Sequence, residues 1–131
     1  IAQIEAGVDI MYAERAGVVD ACREKGILAF GNVNDMNKEE NGTDVVVTSA
    51  LWHMESAIDH AIERVKAGTF SAEEYHHWTM MAKGGASLAP YYEFDSKIPA
   101  DVKARVASLG ADIKAGKFKV EIIDDEPKST F

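Results

Sequence analysis

The chain has 131 residues, of which 47% are hydrophobic and 27% are charged, so it is one folded domain or part of a larger one. Its net charge of -8 at pH 7 excludes the clustered positive charge that a nucleic-acid surface requires. The single cysteine, Cys22, excludes an intrachain disulfide bond and fits a buried position on a helix. No apolar run reaches the roughly 18 residues of a membrane-spanning helix.

The first part of the chain is predicted to alternate between helices and strands. Residues 1–6 have the pattern of the last turn of a helix, which indicates that this chain is the later part of a longer protein. A second helix is predicted at residues 18–25, ending at Gly26. Three apolar runs are predicted strands, at residues 8–12, 27–30 and 45–48.

The continuous apolar character of the runs at 27–30 and 45–48 is typical of strands that are buried on both faces. Strand, helix and strand with short loops favour parallel pairing through right-handed crossovers. The predicted fold class is therefore α/β, with a parallel sheet and flanking helices.

Residues 50–67 are predicted to form an amphipathic helix, with Ser49 as its N-cap, because apolar side chains recur at intervals of three and four. Residues 71–74 are a candidate helical turn, and residues 78–81 are a predicted strand. Pro99 is expected in the first turn of the last helix, which ends near Gly116. The alternating residues 117–122 predict an edge strand.

The sequence has no recognisable catalytic or metal-binding pattern. The four histidines, at positions 53, 60, 76 and 77, do not have the spacing of a zinc site and fit an exposed helix face and a strand start. Gly31 and Asp35 lack the further glycines or lysine of a phosphate loop, and Ser49 lacks a nucleophile elbow. We therefore expect no enzyme activity, no cofactor and no metal ion.

Polar and aromatic residues follow the three predicted strands at their carboxyl ends, where parallel sheets collect ligands. The candidate ligand-binding residues are Tyr12, Glu14 and Arg15 after the first strand, Asn32, Asn34 and Asp35 after the second, and Trp52 after the third. Donors, acceptors and an aromatic face at one sheet edge are the composition of a small-molecule site. The alternative, that these are ordinary polar loops and that Trp52 anchors the core, stays open at this point.

Five segments in this order resemble the basic membrane protein family of substrate-binding lipoproteins, which is related to purine nucleoside receptors. They are AGVDIMYAERAGVVDACREKG, ILAFGNVNDMN, TDVVVTSALWHMESAIDHAIERVKAGTF, AKGGASLAPY and IPADVKARVASLGADIKAGKFKV. The resemblance implies the C-terminal portion of a type I periplasmic-binding-protein fold, with two lobes and ligand in the cleft between them.

The resemblance also implies a domain division and a role. It divides the chain into the latter part of the second lobe (1–49), a hinge crossing with a helix and a strand of the first lobe (50–92), a C-terminal helix and edge strand (93–123) and a flexible tail (124–131).

The expected role is the solute-binding component of an ABC importer that delivers a purine-type nucleobase or nucleoside to a permease. The expected location is periplasmic or membrane-anchored and extracytoplasmic. With most of the first lobe absent, we expect this chain to bind solute poorly and to self-associate through uncovered surface.

Two positions depart from the family pattern. Nucleoside-binding members have G-V-D-x-D-Q after the strand, and their first aspartate binds ribose hydroxyls. Gly31 and Asp35 match this motif, but Val33 occupies the position of that first aspartate. Trp52 stands where members often have lysine. Loss of a carboxylate and gain of an indole favour a free purine base or another planar heterocycle over a nucleoside. A cytoplasmic ligand-sensing regulator with the same fold is the alternative function.

Overall fold

The computed structural model describes residues 1–39, 41–74 and 76–121. Five helices and four strands lie in this part of the chain. In chain order they are α1 (Ala2–Glu5), β1 (Ile10–Ala13), α2 (Val18–Lys25), β2 (Leu28–Val33), α3 (Met36–Glu39), β3 (Val46–Trp52), α4 (Glu55–Lys66), β4 (Ala86–Leu88) and α5 (Ala100–Lys114). Short 3₁₀ segments lie at His76–Thr79, Met81–Lys83 and Tyr92–Phe94. None of these helices is long and apolar enough to cross a membrane.

The four strands form one sheet in the order β1-β2-β3-β4. The first three strands are parallel, and β4 runs antiparallel to β3. The fold class is therefore α/β with a mostly parallel sheet and flanking helices, as the sequence predicts. Because β1, β2 and β3 are neighbours and point the same way, their carboxyl ends lie at one edge of the sheet.

The hydrophobic core lies between one face of this sheet and α2. Val19 and Cys22 of α2 are buried there against Ala13, Ala29 and Val46 of the first three strands. Cys22 is fully buried and is a free thiol, as expected of a small apolar residue on a helix. The helix ends at Gly26, whose φ of 68° places it in the left-handed region that commonly terminates helices.

The prediction that the strands are buried on both faces is wrong for this chain. Strand β2 alternates between buried and exposed residues, and Leu28 and Phe30 keep 41% and 38% of their surface exposed. Tyr12 and Ile10, which lie opposite them on β1, are also exposed. The reason is that α2 covers one face only, so apolar side chains on the opposite face stay open.

The strands extend further than their apolar runs predict. Strand β2 continues past Gly31 to Val33, and β3 continues past Thr48 to Trp52. The predicted helix at 50–67 is wrong at its start, because α4 begins at Glu55. Residues Ala50 to Trp52 instead pair with β4, a partner that lies 34 or more residues away in the sequence. Local periodicity does not report such a partner.

Ser49 is correspondingly not a helix N-cap. It is fully buried within β3, and its Oγ accepts a hydrogen bond of 3.2 Å from the backbone N–H of Met36. It therefore satisfies the first amide of α3, a helix 13 residues earlier in the chain.

Among the elements predicted in the second half, α5 is confirmed, and those at 71–74, 78–81 and 117–121 are wrong. Helix α5 begins at Ala100, with Pro99 as its N-cap rather than in its first turn. The strand predicted at 78–81 is replaced by 3₁₀ segments, and residues 71–74 have no regular structure. Residues 117–121 do not form the predicted edge strand, since alternation stabilises a strand only beside a pairing neighbour. Ile122 and the predicted tail at 124–131 lie outside the described residues.

Gly31 is expected to resist even the smallest substitution. A Cβ at this position would overlap Ser49 Oγ and approach Ser49 Cβ to 2.9 Å and Met36 Cβ to 3.0 Å. We predict that Gly31→Ala lowers the free energy of unfolding by about 1–3 kcal/mol, as overpacking of a close contact does. Urea unfolding followed by circular dichroism measures the change.

Gly110→Ala is the matched control. Its Cβ would meet only Met81 Cε, at 3.8 Å, and Gly110 lies inside α5. Alanine there should raise the free energy of unfolding by about 0.5–1 kcal/mol through helix propensity. Equal effects of the two substitutions would contradict the packing argument at Gly31.

Candidate functional site

The candidate residues follow the shared carboxyl edge of β1, β2 and β3, which we call the carboxyl edge. Glu14 and Arg15 come directly after β1, and Asn34 and Asp35 come directly after β2. Tyr12, Asn32 and Trp52 lie within the strands rather than after them. The edge therefore collects side chains that lie in or directly after three neighbouring strands.

Tyr12 and Asn32 are brought into contact. The Tyr12 hydroxyl donates a hydrogen bond of 2.9 Å to Asn32 Oδ1. Asn32 is buried, whereas Tyr12 is 56% exposed, so the hydrogen bond joins a buried amide to an exposed aromatic side chain. The two residues lie near the ends of adjacent parallel strands.

The loop from β2 to α3 carries backbone strain. Val33 has φ of 71°, and a β-branched side chain is disfavoured in this left-handed region. The next residue, Asn34, donates from Nδ2 to Glu39 Oε2 at 2.8 Å, which ties the loop to the end of α3. Strain of this kind persists where surrounding contacts determine the backbone, and such places are often ligand sites.

Asp35 is held by a residue that the sequence analysis did not identify. The Tyr92 hydroxyl donates a hydrogen bond of 2.6 Å to Asp35 Oδ2. This bond to the carboxylate and burial of the ring raise the pKa of Tyr92 above the usual tyrosine value. Asp35 Oδ1 is buried and accepts no hydrogen bond from the described residues. No local signal could identify Tyr92, because 57 residues separate it from Asp35.

Trp52, Glu14 and Arg15 are not joined to these contacts. Trp52 is the last residue of β3, pairs with Ala86 of β4, and is 57% exposed. Glu14 and Arg15 form a 4.0 Å ion pair in which both side chains are largely exposed. A surface pair of this kind contributes little to stability.

A groove of about 430 Å³ lies on the open face of the sheet, beneath α5. Its size is within the range of small-molecule pockets. Residues from the sheet and from α5 line it, among them Tyr12, Phe30, Val47, Leu88, Val102 and Val106. Its lining is almost wholly apolar, so the polar groups of the carboxyl edge lie beside the groove rather than within it.

His53 and His60 take part in structural contacts. His53 Nε2 lies 2.7 Å from Ser87 Oγ, which links the end of β3 to β4. His60 Nε2 lies 3.0 Å from Glu73 Oε1, and its ring stacks on Trp78 with centroids 4.3 Å apart. Within residues 1–39, 41–74 and 76–121, no group of three or more potential metal ligands converges.

The carboxyl edge has a carboxylate oxygen without a donor in the described residues, an amide hydrogen-bonded to a phenol hydroxyl, and an exposed indole. These groups can accept hydrogen bonds from a small molecule and stack against a flat one. The site is therefore suited to non-covalent binding of a small polar solute.

No protein-family model matches the chain. The chain is 29% identical over 122 residues to a purine-binding protein of Brucella abortus, covering 89% of this chain. It spans 32% of the length of that relative.

Solved structures share the fold. A transcriptional activator of the comK gene from Bacillus halodurans superposes with a TM-score of 0.64 at 21% identity, covering 89% of this chain and 41% of that one. An ABC transporter solute-binding protein from Conexibacter woesei superposes with a TM-score of 0.57 at 19% identity, covering 92% of this chain and 39% of that one.

The Tyr12–Asn32 hydrogen bond is expected to contribute to folding. We predict that Tyr12→Phe lowers the free energy of unfolding by about 1 kcal/mol, because Asn32 Oδ1 loses its donor at a buried position. In an Asn32→Ala background the same substitution should have almost no effect. Urea unfolding of the four proteins in this double-mutant cycle measures the coupling. Additive losses would show that the two side chains do not depend on each other.

Proposed function

We propose that this chain is part of the solute-binding component of an ABC importer, and that the intact protein binds a purine-type nucleobase or nucleoside outside the cytoplasm. The observation that carries the proposal is the carboxyl edge, where Asn32, Asp35 and Trp52 from neighbouring strands offer hydrogen-bonding groups and a stacking surface. The identity to a purine-binding protein supports the choice of solute. The fold shared with an ABC transporter solute-binding protein, together with the resemblance to the basic membrane protein family, supports the transport role.

The intact protein would bind solute between two lobes. In this proposal residues 1–49 belong to the second lobe and residues 50–92 include the hinge crossing with elements of the first, followed by the C-terminal segment 93–123. Two features support this division. The chain spans only 32% of its curated relative, and α4 exposes Ile58, Ile62 and Val65, an apolar face of the kind that a further sheet would cover. Solute binding would close the lobes around the cleft.

The binding contacts would use the carboxyl edge. Asn32, Asn34 and Asp35 would hydrogen-bond the solute, and Tyr12 or Trp52 would stack on it, with Glu14 and Arg15 at the rim. A planar base fits this set better than a sugar does, because two aromatic faces are exposed and Val33 supplies no acceptor for ribose hydroxyls.

Full-length protein is expected to bind adenine more tightly than adenosine. Val33→Asp should reverse the preference by raising adenosine affinity about tenfold, because a hydrogen-bonded carboxylate contributes roughly 1.5–3 kcal/mol. Isothermal titration calorimetry with both solutes measures the ratio of the two dissociation constants.

Val33→Asn is the control for backbone strain. Asparagine and aspartate both accept the left-handed conformation at this position better than valine does. Only aspartate adds charge, so Val33→Asn should leave the preference for adenine in place. Tighter binding of adenosine by the unaltered protein would contradict the nucleobase preference.

Trp52 is expected to contribute affinity by stacking. Trp52→Ala should raise the dissociation constant for adenine about tenfold, since stacking of a base on an aromatic ring contributes roughly 1–3 kcal/mol. Phe70→Ala is the matched control, because Phe70 is an equally exposed aromatic residue beyond the end of α4. Calorimetric titration compares the three proteins. An unchanged dissociation constant in Trp52→Ala would exclude the indole from the site.

The second candidate is a ligand-sensing regulator in the cytoplasm. The observation that favours it is the fold shared with a transcriptional activator from Bacillus halodurans. Deletion of the gene separates the two functions. Loss of labelled purine uptake is the outcome expected of a transport protein, whereas intact uptake with altered transcript levels is expected of a regulator.

A further inference from the structure

We propose that Tyr92 is the positioning residue of the carboxyl edge, and that it holds the Asp35 carboxylate in the orientation that accepts an N–H donor of the solute. The inference rests on the proposed function, because it assigns Asp35 to solute binding. Tyr92 follows β4 in the second half of the chain, and it belongs to none of the strands that form the edge.

The hydrogen bond between Tyr92 and Asp35 decides which carboxylate oxygen lacks a donor. Tyr92 donates to Oδ2 at 2.6 Å, a short distance typical of a hydroxyl bound to a charged acceptor. Oδ1 is buried and receives no hydrogen bond from the described part of the chain. A buried acceptor without a donor costs free energy, so an N–H group that enters beside Oδ1 gains more there than at an oxygen already bonded to protein.

Further contacts hold Tyr92 itself in place. Lys38 Nζ lies 4.1 Å from the centroid of the Tyr92 ring, a cation–π distance. The same ammonium lies 3.9 Å from Glu93 Oε1. Asn37 Nδ2 donates to Glu93 Oε2 at 3.5 Å, so consecutive residues 92 and 93 contact three residues of the segment 35–38.

Backbone strain at Tyr92, and two residues before Asp35, supports a role beyond packing. Tyr92 has φ of 45°, and Val33, two residues before Asp35, has φ of 71°. Each non-glycine residue in this region is held there against its own preference. The two strained segments meet at the hydrogen bond, which fixes the carboxylate relative to the end of β2.

The experiment uses full-length protein and compares Tyr92→Phe with Tyr91→Phe. Each variant removes one hydroxyl from an adjacent tyrosine and keeps the ring, so Tyr92→Phe retains the backbone strain and the contact with Lys38. Calorimetric titration with adenine measures affinity. We expect Tyr92→Phe to raise the dissociation constant about tenfold and Tyr91→Phe to leave it unchanged.

A spectroscopic titration tests the hydrogen bond between Tyr92 and Asp35 independently of the solute. Tyrosinate absorbance should show a tyrosine that ionises above the usual value of 10.0, because ionisation beside Asp35 breaks the hydrogen bond and places two negative charges together. Asp35→Asn should move this pKa back toward 10.0, and Tyr92→Phe should remove the transition. Since the neutral phenol is favoured by folding, the free energy of unfolding should fall as pH rises from 10.0 through the raised pKa.

Each outcome bears on a single claim. If the unaltered protein binds adenine and Tyr92→Phe binds it equally well, Tyr92 does not position the site, and the proposed function stands. If the unaltered protein binds neither adenine nor adenosine, the proposed function fails first and this inference falls with it. If Tyr92→Phe does not fold, the absorbance titration of Asp35→Asn tests the inference instead. A tyrosine pKa that is the same in Asp35→Asn as in the unaltered protein overturns it.

Discussion

The close approach of β2 and β3 at Gly31 and Ser49 is the contact on which the candidate site depends. The two residues lie opposite each other, and the space between them admits no side chain on Gly31. Ser49 is thereby near enough to accept the Met36 amide at 3.2 Å, which starts α3 directly after Asp35. The position of the Asp35 loop therefore depends on two features. Gly31, four residues earlier, has no Cβ, and Ser49 on the neighbouring strand supplies a hydroxyl.

The sheet has two unlike faces, because one forms the hydrophobic core and the other exposes apolar side chains. One face packs on α2 through small and β-branched residues such as Ala29 and Val46, which form the core. The other face exposes Phe30 and Tyr12, which line the apolar groove beneath α5. Polar groups concentrate at the carboxyl edge, which parallel strands share by topology. The hydrophobic core therefore lies on one side of the sheet, and exposed apolar side chains and the polar edge lie on the other side and at its rim.

The sequence predicted the local elements well where neighbouring residues determine them. Helix α2 has the predicted bounds, because capping glycine and apolar spacing both lie within a few residues. The prediction was wrong where a distant partner decides. Residues Ala50 to Trp52 are strand because β4 pairs with them, and residues 117–121 are not strand, although their side chains alternate. The sequence likewise predicted that three strand ends share one edge, but it did not predict that Tyr92 contacts Asp35 there.

The amino-acid sequence by itself determined the α/β class, the parallel order of the first strands and the residue types at their carboxyl ends, because apolar runs, glycine positions and short loops are local properties. Only the tertiary structure decided which of those residues touch. It paired Tyr12 with Asn32 and Asp35 with Tyr92, and left Trp52 exposed. Such contacts join residues as many as 57 positions apart, and they form through register and packing, which no local pattern encodes.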